Sequence, residues 1–431
     1  MKIKNTMVCG MMATALVVGA VGCGQSQSTS GSNASGSDSS KQITLTQWTY
    51  YAPAKLAAQA FEKEHPNIHI NVKVFPGNDY ETKLQTALST GTDVPDIFDM
   101  DMGYIGQFIN TPYLANLSSM GANQLVSGQI PYVAAGGKDS QGNVKAITDT
   151  SSPGGFWFRK AAAKKWLGTD DPNKVSQMVS SWPKIIQLGE KINKESGGKV
   201  HLLDTDGDVM AVEEYHMQHF VQNGKLVIDP GWTNVLDTMR EIYQNNVEAD
   251  LASFSPGWGS ALNDHSQNGS AILFAAPSWA GFMINTKNNA ANGQYGLAQA
   301  PEGYYEGGRY AAIYAKSPNE QAAYEFLKFL ASDDWQKQNL STGNMPANKS
   351  VYQKNMNTYT IPFYGDEKVL KPYYNISMNV PAQAPDAYNE DIISMFGKLA
   401  TTMLSEKKSD QWVFDQLKQQ VKQAYPEVQV N

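Results

Sequence analysis

The chain has 431 residues, 41% hydrophobic and 17% charged, with a formal net charge of -7. At roughly 150 residues per domain this length predicts two or three folding units, and the composition excludes global disorder. No block of Lys or Arg interrupts the acidic balance, which excludes nucleic acid as a partner, because phosphate binding needs a positive footprint. Many of the nine Trp, 21 Tyr and 15 Phe lie beside Gly or Pro in predicted loops, not inside the apolar periodic runs where core aromatics usually sit.

At the N-terminus, Lys2 and Lys4 precede an uncharged apolar run over residues 7–21, too short for a comfortable membrane span. It ends in Ala20-Val21-Gly22-Cys23, and small residues before a Cys resemble the lipobox of bacterial lipoproteins, although Ala20 stands where Leu is usual. The resemblance implies that residues 1–22 are a signal peptide and that Cys23 carries the lipid. An ordinary secretory signal or an N-terminal membrane helix is the alternative. Cys9 lies inside the signal, so the mature chain would keep one Cys and no intramolecular disulfide. Residues 23–41, rich in Ser and Gly without a large apolar side chain, read as a flexible tether. The expected location is the outer face of the bacterial cell membrane, held there by the lipid anchor alone.

Residues 43–46 alternate apolar and polar as a half-buried strand does. Residues 53–65 predict a helix stopped before Pro66. Ile68, Ile70, Val72 and Val74 alternate as a second strand, residues 80–89 as a helix with Leu84, Ala87 and Leu88 on one face, and residues 95–99 as a short buried strand. Strand and helix thus alternate as in a parallel α/β sheet. Further along, Ser181-Trp182-Pro183 opens a helix with an early Pro, and Asp229-Pro230 opens another. Ala271-Ile272-Leu273-Phe274 predicts a buried strand, and Ser317-Pro318-Asn319-Glu320 a capping box. Phe414, Leu417 and Val421 mark a last helix, and no internal repeat is visible.

Several segments in order resemble the extracellular solute-binding proteins of ABC importers, the family that includes maltose-binding protein. Ile43 through Trp48 looks like the opening strand, and Ala60 through Ile68 like the approach to the second. Leu84 through Gly91 followed by Val94-Pro95-Asp96-Ile97-Phe98 is the most specific piece. Ser278-Trp279 is similar to the family's binding-site Trp loop, Gly307-Gly308-Arg309-Tyr310 with the following helix to the hinge-crossing strand, and Gly343 through Ala347 to the next turn. The resemblance covers nearly all of the mature chain. It implies an α/β, two-lobe fold with hinge strands and a cleft, with 42–150 and about 292–345 in lobe 1 and 151–291 and about 346–431 in lobe 2. It further implies a monomer that closes on a carbohydrate and is met by the permease subunits of an ABC importer.

A sugar presents CH faces to flat aromatic rings and hydroxyls to carboxylates, so loop aromatics and aspartates are the candidate ligand-binding residues. They are Trp48, Tyr50 and Tyr51 after the first strand, Asp99 and Asp101 after the third, Asp149 and Phe156 around the first crossing, Asp206 and Asp208, Trp258, Trp279, Tyr304, Tyr305, Arg309 and Tyr388. The resemblance favours Trp48, Asp101, Trp279 and Arg309 most. Any one of these Trp residues can equally be packing, and any Asp a turn former or cap. Trp166, Trp182, Trp335 and Trp412 lie in helical patterns and are assigned to packing.

Asp204-Thr205-Asp206-Gly207-Asp208 has Val209 and Tyr215 where an EF-hand needs Gly and Glu, so that loop fails, with a looser calcium site left open. His216 and His219 lack a further evident ligand. No metal is assigned and no cofactor is expected. Ser181 and Lys184 match S-x-x-K without its companion motifs, and the other common hydrolase, protease and nucleotide-binding signatures are absent, so no catalytic residue is assigned. The rival readings are a receptor for a non-sugar solute, a glycan-active hydrolase or lyase, which would need two carboxylates about 5–10 Å apart, and an adhesin with a rigid cleft.

Overall fold

The computed structural model describes residues 42–430. Cys23, the signal peptide and the tether lie outside the described residues. The strands in chain order are β1 (Ile43–Thr49), β2 (Ile68–Val74), β3 (Ile97–Asp101), β4 (Ala146–Ile147), β5 (Gly154–Arg159), β6 (Val221–Gln222), β7 (Lys225–Leu226), β8 (Leu273–Pro277), β9 (Tyr295–Ala298) and β10 (Arg309–Ile313). They form one sheet in the order β2-β1-β3-β10-β4, a second in the order β8-β5-β9, and a hairpin of β6 and β7.

The first lobe is built as the alternation of the sequence requires. β1 runs parallel to β2 and to β3, with helices Ala54–Glu64 and Gly77–Thr90 as the crossovers. Helix Ala54–Glu64 buries Ala54, Ala57, Ala58 and Phe61, the i, i+3, i+4, i+7 spacing of an apolar stripe. Helix Gly77–Thr90 stops at Gly91, whose φ of +68° is the left-handed cap that glycine adopts without a Cβ clash. β10 returns from far along the chain and pairs antiparallel with β3, Arg309 opposite Asp101.

Asp96 ties this lobe together. Its carboxylate accepts from the backbone N–H and hydroxyl of Thr46, at 2.8 and 2.9 Å, and from Ser317 and Asn319, at 2.6 and 3.3 Å. Burial raises its pKa, but these hydrogen bonds outweigh that and hold it below the ordinary value. The expected capping box is therefore not made: the Ser317 hydroxyl goes to Asp96, and helix Glu320–Leu330 starts from Asn319 without a side-chain cap.

The second sheet is antiparallel throughout, β5 lying between β8 and β9. Here the boundary expected near residue 292 moves. β9 pairs with β5, Phe156 opposite Ala298, so the chain stays in this lobe until the segment before Arg309. The core of this lobe gathers Phe156, Ile185, Trp232, Leu236, Phe396 and Leu417 from strand and helices.

Two segments carry the chain between the two sheets, and they are bonded to each other and to a third segment at Met345. Ser151 donates its N–H to the Met345 carbonyl at 3.0 Å, Glu306 to Ser152 at 3.2 Å, and Gly154 to Tyr304 at 2.9 Å. Ser152, Gly307 and Gly308 take φ values of +53°, +65° and +131°. Left-handed backbone at Ser152 costs about 1–3 kcal/mol and persists only where neighbours impose it. These residues lie where the chain crosses between the two sheets.

The lobes also meet away from the crossings, where helix Met102–Ile109 touches the segment leading into helix Asn389–Glu406. Gly106 lies so close to the Asp386 backbone that an added methyl would overlap its carbonyl oxygen. Gly106→Ala should therefore spread the lobes, since overpacking costs about 1–3 kcal/mol that opening relieves. Circular dichroism should be unchanged and the radius of gyration in small-angle scattering larger; an unchanged radius would show that the contact does not limit closure.

Candidate ligand-binding site

Beside the crossings lies a cavity of about 450 Å³. The first lobe contributes Tyr50, Tyr51 and Asp101, the second Trp279 and Phe282, and the crossings Thr150, Ser152, Gly307 and Gly308. Each principal side chain stands where a strand ends: Tyr50 and Tyr51 after β1, Asp101 at the end of β3, Trp279 after β8. Strand ends are where open α/β sheets place their ligand-binding groups.

Tyr50 donates its hydroxyl to Asp101 at 2.8 Å, and the other carboxylate oxygen of Asp101 caps helix Met102–Ile109 through the Gly103 N–H at 2.9 Å. Burial, then the charge of Asp101, raises the Tyr50 pKa well above its ordinary value, so this hydroxyl stays protonated. The Tyr51 hydroxyl accepts from Asn344 at 2.6 Å. Across the cleft, the Trp279 N–H donates to the Glu306 carbonyl at 2.8 Å, and Phe254 lies nearly parallel to its ring at 5.3 Å. The result is aromatic surface from both lobes beside an acceptor carboxylate.

Arg309 is the only cation lining the cavity among the described residues, and its charge is already taken. It donates to Asp99 at 3.1 Å and to Asp149 at 2.6 Å. Burial opposes its charge, but Asp149 and Asp99 outweigh burial and raise its pKa above the ordinary value. Asp149 also accepts from Trp335 at 2.7 Å and Asn339 at 3.2 Å, so two candidates named for ligand binding, Asp99 and Asp149, are consumed in a buried network.

Other candidates lie elsewhere for reasons of packing. Trp48 sits on β1 facing helix Gly77–Thr90, packs on Phe75 at 5.0 Å under Lys83, and borders a separate groove. Phe156 and Tyr304 are fully buried, the latter donating to the Gly155 carbonyl. Trp258 is fully buried and donates to Asp204. Tyr388 packs edge-on against Tyr425 on the second core. Tyr305 is stacked between Tyr132 and Tyr215, at 4.4 and 4.0 Å, beside a small crevice that holds Glu214 and Glu390. Among the cavity residues not foreseen are Phe282, Thr150, Ser152 and Asn344; Ser152 and Phe282 were flanked by recognised signals, the crossing and the Trp loop.

Asp206 and Asp208 do not reach the cavity either. Asp208 pairs with Asp204 inside the second lobe, with Asp206 and Glu248 close enough to act on its charge. Among the described residues no three His, Cys, Asp or Glu side chains are arranged to hold a metal ion. His216 donates to the Gly303 carbonyl and His219 pairs with Asp386, each at 2.7 Å, so they share no ligand. Burial, then Asp204 and Asp206, raises Asp208 well above its ordinary value. Burial likewise pushes Glu248 up to about 7. Across the window between the ordinary carboxylate range and about 7, the folded chain holds a proton on Glu248 that the unfolded chain has lost, so stability falls as pH rises. The thermal midpoint should drop between pH 5 and pH 8. Glu248→Gln should raise it by a few degrees at pH 8 and leave it nearly unchanged at pH 5; equal effects at both pH values would contradict this assignment.

A family model described as bacterial extracellular solute-binding protein matches residues 44–337. The chain is similar to the melibiose/raffinose/stachyose-binding protein MelE of Bacillus subtilis, 30% identical over 127 residues, 30% of this chain and 28% of that one. It is 23% identical over 328 residues to an uncharacterized ABC transporter extracellular-binding protein of Pyrococcus horikoshii, 72% of each chain. In structure it resembles the sugar-binding protein MalE of Xanthomonas citri, with a TM-score of 0.73 and 16% identity over 88% of this chain and 97% of that one. The chain belongs to the bacterial extracellular solute-binding proteins, a family of binding receptors and not of enzymes.

Proposed function

We propose that this receptor captures an uncharged oligosaccharide between its lobes and, by closing on it, delivers it to the permease of an ABC importer. The observation that carries this reading is the composition of the cavity. Tyr50 and Tyr51 from one lobe and Trp279 from the other offer flat faces, and Asp101 offers an acceptor carboxylate. Sugars need both kinds of group. The ion pairs of Arg309 with Asp99 and Asp149 leave no free cation in the lining to attract an anionic solute. The sugars in the name of MelE, and the description of MalE as a sugar-binding protein, support the same reading.

Closure follows from linkage. Groups on both lobes can touch one ligand together only when the lobes approach, so ligand shifts the population to the closed form by its differential contacts. In this reading residues 1–22 are removed and the lipid on Cys23 holds the receptor at the outer face of the cell membrane.

Isothermal titration against a saccharide panel should show saturable binding without product. Trp279→Ala should cost about 2 kcal/mol, roughly thirtyfold in Kd, with the thermal midpoint of the ligand-free protein little changed. Binding of a polyamine or peptide in place of any sugar, or an undiminished affinity in Trp279→Ala, would sink the carbohydrate reading. In expressing cells, Cys23→Ser should move the protein from the membrane fraction to the medium or periplasm; retention at the membrane would refute the lipid anchor.

A further inference from the structure

Phe282 is 77% exposed, well beyond the other exposed large apolar side chains among the described residues. Burying such a ring is worth roughly 1.5–3 kcal/mol, and unlike a singly scattered apolar surface residue this ring lines the candidate ligand cavity. It is not a loose residue. It sits in the short 3-10 helix Ser278–Met283 directly after β8, and this segment is held at both ends. Ser278 donates to the Pro153 carbonyl at 2.8 Å, and the Met283 carbonyl accepts from Asn263 at 3.0 Å. A Cβ on the neighbouring Gly281 would stand 3.4 Å from the Phe363 ring, so the turn is also packed from beneath.

The Phe282 ring is aligned with the candidate stacking residue. Its plane is within 12° of the Trp279 indole, with centroids 6.1 Å apart, and both residues line the cavity. Phe254 braces the indole at 5.3 Å and 21° while holding a φ of +62°, strained backbone of the kind found at ligand clamps. The three rings form a ladder from the buried Trp258, 5.2 Å from Phe254, outward to solvent. A cavity of about 450 Å³ lies toward the small end of the roughly 300–1,000 Å³ range of ligand sites, so a longer ligand must continue past its mouth.

Resting on the carbohydrate reading above, we propose that Phe282 is an outer stacking subsite for a sugar unit projecting from the cleft, which makes the receptor select for chain length. The exposed ring stacks on the CH face of the projecting unit, and that contact is made only by ligands long enough to reach it.

The test is a pair of length series, galactose to melibiose, raffinose and stachyose, and glucose to maltose, maltotriose and maltotetraose, titrated against wild type, Phe282→Ala and Phe282→Tyr. In the series that binds, Phe282→Ala should weaken the longest ligand about tenfold and leave the shortest binder within about twofold, while Phe282→Tyr, which keeps a flat face, preserves the length dependence. An equal loss at every length, or none, overturns the subsite and leaves the carbohydrate reading standing. Wild type that binds neither series nor any member of the wider saccharide panel overturns both. Unchanged affinities with impaired uptake in cells would assign the ring to contact with the transporter and also overturn the proposal.

Discussion

A single buried guanidinium organises the part of the molecule where the lobes join. Arg309 opens β10, the strand that returns to the first sheet after the long excursion through the second lobe, and it reaches Asp99 on β3 and Asp149 at the entry to the first crossing. Burying a cation with two carboxylates is costly unless the remaining hydrogen-bonding capacity is met. Here Gln47 supports Asp99, while Trp335 and Asn339 support Asp149. Five parts of the chain distant in sequence are thereby held in one arrangement. Removing Arg309 would leave Asp99 and Asp149 buried without their cation, which is worse than never having built the network.

That fixed point separates rigid parts from movable ones. On the first-lobe side, Tyr50 and Asp101 are joined to each other and to the helix behind them. On the second-lobe side, the turn that carries Trp279 is bonded to the first crossing. Between them the backbone takes positive φ at Ser152, Gly307 and Gly308. Rotation of a few such residues is enough to swing one preformed wall against the other.

How much of this was legible in sequence depends on whether the signal is local. The alternation of Ile68, Ile70, Val72 and Val74 specifies β2 because neighbours on a strand point to opposite faces. Family likeness and position at strand ends led to Tyr50, Tyr51, Asp101, Trp279 and Arg309, which line the cavity. The same reasoning also gathered Trp48, Trp258, Tyr304 and Tyr388, because an aromatic near Gly or Pro looks alike whether it meets solvent or a second layer of protein. Trp48 lies inside β1, so strand geometry turns it toward the helix layer, whereas Tyr50 lies past the strand end. Ser317 met a partner 221 residues away, which no local window reveals. β9 is four residues of buried strand without polar alternation, so its place beside β5 depends on pairing alone.

The bond from the Trp279 indole to the Glu306 carbonyl has a mechanical meaning. Glu306 immediately precedes the two glycines of the second crossing, so the recognition ring and the pivot share one peptide unit. Under the stacking role proposed for Trp279, a guest that tilts the indole would pull on the peptide that precedes the glycine pair. In that reading, occupancy of the cleft would reach the joint through one hydrogen bond, without a relay through either core.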